Sequence, residues 1–205
     1  MYMNICVFGA SSPEIGTSYL RAARELGELI AKNGHTLVFG GGAAGVMGET
    51  ARGAESAGGH IIGVVPRFIN ADGVSFPGCD ELIMTDTMRE RKAEMEKLSD
   101  AFIVCPGGIG TFEELFEMLS LKQLERHGKA IVILNTDGYY NGLKQLLEHS
   151  IRENFVRDIC RTLYCFTDTP AEAFRAVTEY IPNQDAKDLR GFPSAYTFES
   201  PKENE

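Results

Sequence analysis

No stretch of the 205 residues approaches the ~18 consecutive apolar positions needed to span a bilayer. The opening segment MYMNICVFGASS also lacks a basic region ahead of its short apolar run, so neither a membrane span nor a secretory leader is expected. Cysteine is sparse. Cys6, Cys79, Cys105, Cys160 and Cys165 are odd in number, scattered and without a CxxC pair, which argues against a disulfide framework or a zinc site and fits a reducing, cytoplasmic setting. Positive charge is short as well: 20 Lys and Arg against 29 Asp and Glu leave a net charge of −9. Such a surface repels nucleic acid and anionic membrane, so neither is expected as a partner and any anionic ligand must be met by a local arrangement. The four histidines, His35, His60, His127 and His149, show no ligand spacing, and no metal site is expected.

What is present is a core-forming chain. With 43% hydrophobic residues, a single domain over residues 1–182 is expected, burying roughly 70% of the surface exposed on unfolding. Short apolar runs alternate with longer amphipathic stretches, the period-switching of successive strand–helix units. The fold class is therefore α/β, a doubly wound, mostly parallel sheet of about seven strands flanked by helices. Strands are expected near Asn4–Phe8, Thr36–Phe39, Ile61–Val65, Glu81–Thr85, Ala101–Cys105, Ala130–Leu134 and Thr162–Phe166. Ser12-Pro13 and Thr169-Pro170 each read as an N-cap with proline at the first helical position. Residues 66–80 are too rich in turn formers for a helix and read as a loop or flap over a site. Residues 183–205, polar and nonperiodic, read as a tail that is disordered or draped on the surface.

Two glycine-rich turns carry the chemistry. The first, VFGGGAAGVMGET, contains Gly40-x-Gly42-x-x-Gly45 between an expected strand and helix, the dinucleotide fingerprint. A nicotinamide or flavin site would place an acid at the end of the next strand, where Val65-Pro66-Arg67 stands instead, and the Gly-Lys-Ser/Thr of a nucleoside-triphosphate loop is missing. What survives is backbone N–H groups at a helix start, suited to a phosphate or ribose; tight packing of helix on strand is the alternative.

The second turn, CPGGIGTFEE, spans residues 105–114. Thr111-x-x-Glu114 fits a capping box, which would explain Glu114 without function. Against that, the turn follows a central strand at the edge where open α/β sheets bind ligands. In the preceding TMRERKAEMEKLSD, Met88, Met95 and Leu98 form an apolar stripe that includes Arg91, with Lys92 at its margin. An inward guanidinium needs an anion, either Glu114 or a ligand phosphate, unless it snorkels to solvent.

Met88-x-x-Arg91-Lys92, Ser99-Asp100-Ala101-Phe102 and Pro106-Gly107-Gly108-x-Gly110-Thr111-x-x-Glu114 together closely resemble the paired motifs of the LOG (Lonely Guy) family, cytokinin riboside 5′-monophosphate phosphoribohydrolases also labelled lysine decarboxylase-like. The resemblance extends to Gly40–Gly48 and to Asp137-Gly138-Tyr139-Tyr140-Asn141, covering roughly residues 3–155. It implies a Rossmann-like homodimer that hydrolyses the N-glycosidic bond of an adenosine 5′-monophosphate, often N6-substituted, to free base and ribose 5-phosphate. It implies Arg91 and Glu114 as the catalytic pair. Nucleotide contacts would come from Met88, Lys92, Gly41, Gly42, Gly107, Gly108, Gly110, Thr111 and Ser120, with phosphate at the second turn. Two departures stand out: Ser120-Leu121 replaces the family's frequent threonine-tryptophan in a chain without tryptophan, and Phe68 follows Pro66-Arg67 where a substrate-binding glutamate is common.

An ionised carboxylate beside C1′ would stabilise the positive charge that develops on the sugar, or would deprotonate the attacking water. That chemistry needs no cofactor, and no lysine stands in a setting that argues for a pyridoxal phosphate Schiff base. Two alternatives remain: a non-catalytic nucleotide or cofactor carrier of the same fold and, more distantly, an NAD-dependent oxidoreductase.

Overall fold

A computed structural model describes residues 2–70 and 73–182. Seven strands, β1 (Asn4–Phe8), β2 (Thr36–Phe39), β3 (Ile61–Pro66), β4 (Glu81–Thr85), β5 (Ala101–Val104), β6 (Ala130–Leu134) and β7 (Cys165–Thr167), form one sheet in the order β4-β3-β2-β1-β5-β6-β7. Every pairing is parallel. Among the described residues, six α-helices flank the sheet: α1 (Thr17–Lys32), α2 (Gly45–Ser56), α3 (Met88–Leu98), α4 (Ile109–Gln123), α5 (Asn141–Arg152) and α6 (Pro170–Thr178).

The central strands read as unbroken apolar runs because both of their faces are covered. Alternate residues serve opposite layers: Ile5, Val7, Leu37 and Phe39 pack with Leu26 and Ile30 of α1 and Val177 of α6. Cys6, Phe8, Val38 and Phe102 pack with Met95 of α3 and Leu115 and Met118 of α4. The edge strands β4 and β7, ELIMT and CFT, are more exposed and less apolar.

The chain winds outward from β1 to β4, then returns through α3 to β5 on the other side of β1. The carboxyl ends of β1 and β5 therefore diverge into loops of opposite sense, which opens a crevice there. α3 and the start of α4 flank it.

Several boundaries differ from expectation. Ser12-Pro13 does not open a helix; α1 begins at Thr17 with Gly16 at its N-cap, and Ser12 Oγ accepts from the Glu14 N–H at 3.4 Å in a local turn. The last strand is Cys165–Thr167, while Asp158–Leu163 is a 3-10 helix that buries Cys160 and Leu163 three residues apart. Thr169-Pro170 does cap α6, in a box completed by Glu172. Among the described residues of 66–80 there is no α-helix, and the expected tail, 183–205, lies outside the described residues.

Lys122 on α4 is buried against β6 and β7, donates to the Leu163 carbonyl at 2.9 Å and lies 4.7 Å from the centre of the Tyr180 ring. Burial pulls its ammonium down to about 8. An unfolded lysine holds its proton to about 10.4, so stability should rise with pH between those values, by up to about 3 kcal/mol. Lys122→Met should flatten that rise, measured as the difference between wild-type and variant urea midpoints at pH 7 and pH 10.

Candidate active site

Three loops converge at the crevice. The first follows β1 (Gly9-Ala10-Ser11), the second follows β2 (Gly40–Ala44) and the third follows β5 and runs into the first turn of α4 (Gly108 to Thr111); together with Arg91 and Glu114 they line a cleft of about 560 Å³. The first loop is tied to the first turn of α2 by the Met47 N–H donating to the Ala10 carbonyl at 3.2 Å. Gly45 allows this approach: it has φ +62, and a Cβ there would overlap the Ala10 and Ser12 carbonyls. The flap is pinned to the second loop, with the Ala43 N–H donating to Val74 O at 3.1 Å and the Phe76 N–H to Gly41 O at 2.7 Å. Ile69 and Val74 of the flap, with Met47 and Val65, give one end of the cleft an apolar wall.

Arg91 and Glu114, 23 positions apart, meet because α3 returns under the sheet's carboxyl edge just where α4 departs from β5. Arg91 Nη1 donates to Glu114 Oε1 at 2.7 Å and its Nε to the Val64 carbonyl at 3.2 Å. Both side chains are less than 10% exposed. Gly40 makes room for the guanidinium, since a Cβ there would overlap it. Burial pushes the Glu114 carboxyl above its ordinary range, although Arg91 opposes the rise. A buried carboxylate that is a stronger base than usual, held by a cation at the wall of a cleft, is equipped to stabilise a nearby positive charge or take a proton from water.

The capping box expected at Thr111 and Glu114 does not form. α4 starts at Ile109 with Gly108 at its N-cap, without a side-chain cap bond, and Arg91 holds the Glu114 carboxylate instead. The first helical bond is from the Phe112 N–H to Gly108 O at 3.0 Å; among the described residues the N–H groups of Gly108, Ile109, Gly110 and Thr111 have no main-chain acceptor. They form the polar end of the cleft and favour an anion.

Of the residues singled out in the sequence, Arg91, Glu114, Gly41, Gly42, Gly108, Gly110 and Thr111 are brought together on the cleft. Four are not among its walls. Lys92 is buried with its Nζ 2.6 Å from Glu113 Oε1 and 2.5 Å from Glu117 Oε2, bracing α3 against α4. One residue past Arg91 on a helix turns it about 100° away from the cleft. Ser120, three turns into α4, is exposed, Met88 is half-buried, and Gly107 is buried with its carbonyl accepting from the Tyr139 hydroxyl. Sequence reasoning missed the loop after β1 and, although it read residues 66–80 as a flap over a site, did not single out Ile69 and Val74 within it. The glycine ending β1, at the sheet's central strand, was the available signal for the first; nothing local marked Ile69 or Val74. Among the described residues, no group of three or more His, Cys, Asp or Glu could hold a metal ion, and no helix is long and apolar enough to cross a membrane.

Residues 47–177 match the family described as "Possible lysine decarboxylase". A protein of Oryza sativa subsp. japonica named "Probable cytokinin riboside 5′-monophosphate phosphoribohydrolase" is 37% identical over 211 residues, covering 98% of this chain and 86% of that protein. A cytokinin riboside 5′-monophosphate phosphoribohydrolase of Arabidopsis thaliana is 35% identical over 184 residues, covering 90% and 86%. Among solved structures, the Moco carrier protein from Chlamydomonas reinhardtii matches with a TM-score of 0.66 and 27% identity, over 87% of this chain and 97% of that one.

Proposed function

Since the chain belongs to the LOG family, we propose that it hydrolyses the N-glycosidic bond of N6-substituted adenosine 5′-monophosphates. The observation that carries this reading is the buried Arg91–Glu114 pair, 2.7 Å apart, set between a polar and an apolar end of one cleft. The phosphate lies against the free amides that open α4, the base lies along the apolar wall, and the sugar spans the ion pair. The C1′–N bond breaks with its electrons leaving on the base. Glu114 stabilises the cation that forms on the sugar and takes a proton from the attacking water, whose hydroxyl ends on C1′; the proton is passed to the base. Arg91 keeps Glu114 oriented and favours its ionised form. Plain AMP, a homodimeric assembly and a cytoplasmic location belong to the same reading.

A carrier that binds a nucleotide-like cofactor without cleaving it is the second reading, favoured by the likeness to the Moco carrier protein. One panel decides between them. Purified protein is incubated with AMP, N6-isopentenyl-AMP, other nucleoside monophosphates and the unphosphorylated nucleosides, and released base is measured by chromatography. The expected result is base release from adenosine 5′-monophosphates, fastest with an apolar N6 group, and at least about 10²-fold slower release from nucleosides, because binding energy at the phosphate drives the reaction at the sugar. Nucleotides bound tightly and recovered intact would establish the carrier.

A further inference from the structure

The Tyr139-Tyr140 pair has no role in the chemistry above, yet both hydroxyls reach the second glycine turn. Tyr140 donates to the Cys105 carbonyl at 2.8 Å and Tyr139 to the Gly107 carbonyl at 2.7 Å, while the Ala10 N–H donates to the Pro106 carbonyl between them at 3.1 Å. Three successive carbonyls are thus each held by a donor, and neither Gly107 nor Tyr139 lines the cleft. Because a trans peptide is planar with its C=O and N–H antiparallel, fixing the Gly107 carbonyl also fixes the Gly108 N–H on the opposite side of the same plane. Gly108 lines the cleft.

We propose that Tyr139 is a positioning residue that aims the Gly108 amide at the substrate phosphate; this rests on the hydrolase reading above for the identity of the anion. The need arises from the turn itself. Gly107 and Gly108 have no side chains to restrict them, and rotation of the peptide between them would replace a donor by a carbonyl oxygen facing the phosphate. A hydroxyl on the carbonyl opposes that rotation and polarises the amide. Tyr139 is held for the task by edge contacts with the Tyr140 ring, centroids 4.9 Å apart, and the Tyr19 ring at 5.8 Å. The Tyr140 N–H in turn donates to Asn135 Oδ1 at 2.7 Å.

Tyr140 supplies the internal control. The peptide whose carbonyl it holds ends on the nitrogen of Pro106, which has no hydrogen to aim. Two neighbouring tyrosines making similar bonds should therefore fail differently.

Full-length Tyr139→Phe and Tyr140→Phe are compared with wild type by steady-state kinetics on N6-isopentenyl-AMP, by calorimetric titration with ribose 5-phosphate, and by thermal melting. Tyr139→Phe is expected to raise KM and the ribose 5-phosphate Kd together by about 5- to 10-fold, the worth of one hydrogen bond, with kcat within about 2-fold and little change in melting. Tyr140→Phe is expected to lower the melting temperature, by stranding a buried carbonyl, and to leave the ribose 5-phosphate Kd unchanged. An unchanged Kd in Tyr139→Phe overturns the proposal, as does an equal rise in both variants. So does a wild-type protein that does not bind ribose 5-phosphate. A wild type that binds ribose 5-phosphate but releases no base overturns the hydrolase reading alone, and the Kd comparison still decides the role of Tyr139.

Discussion

Glu114→Gln is expected to lower kcat for base release by about 10³-fold or more while leaving the protein folded. The substitution keeps the shape of the side chain and an oxygen to accept from Arg91 Nη1, which stands 2.7 Å away. It removes the negative charge, and with it both the stabilisation of a sugar cation and the capacity to take a proton from water. General-base catalysis alone contributes about 10²- to 10⁴-fold, and loss of a preorganised electrostatic contact adds to it. The same site predicts where activity fails in acid. Burial holds the Glu114 carboxyl above the ordinary glutamate value despite the opposing guanidinium, and the reactive form is the ionised one. Activity should therefore be full above that raised value and fall away as pH drops through it, at a higher pH than for a solvated glutamate. A profile of kcat/KM against pH reads this directly, since it reports the groups of the free enzyme. Glu114→Gln retaining substantial turnover would remove Glu114 from the chemistry.

The sheet was legible because its strands differ in composition from everything around them. ICVF, TLVF and AIVIL are buried on both faces and so are apolar throughout, and six strands fall within a residue of the run that announces them. The seventh was displaced because an edge strand of three residues has little apolar character of its own, and the neighbouring Cys160 and Leu163 belong to a 3-10 helix. Helix starts were less legible, since Ser-Pro and Thr-x-x-Glu describe local hydrogen bonds that compete with others. At Thr169 the local pattern prevailed. At Thr111 a distant partner prevailed, because Arg91 offers Glu114 a charged hydrogen bond inside a buried site, which is stronger than a capping contact at a helix start. The stripe of α3 pointed to that partner; the neighbouring Lys92 could not be placed in the same way. Its two carboxylates lie one turn apart on α4, and only the packing of α3 on α4 shows that they face it rather than a ligand.

The first glycine-rich loop gives the most demanding test of this geometry. The fingerprint pattern assigns Gly40 to the tight turn after the strand, whereas in the fold it is the Arg91 guanidinium that occupies the space a Cβ would take. Gly40 is not among the residues with positive φ, so alanine fits its backbone and the fold should tolerate it. The added methyl must displace the guanidinium from between Gly40, Val64 O and Glu114. Gly40→Ala is therefore expected to mimic Arg91→Met: each should lower kcat/KM by about 10²-fold, the scale on which misplacement of a catalytic group by about an ångström is felt. Each should also move the acid limb to higher pH, because removing the cation removes the influence that lowers the Glu114 pKa. The double variant is expected to be no worse than Arg91→Met alone, since the glycine acts only through the arginine. If the two losses multiply, Gly40 contacts the substrate independently, and the phosphate then belongs at the first glycine loop rather than at the start of α4.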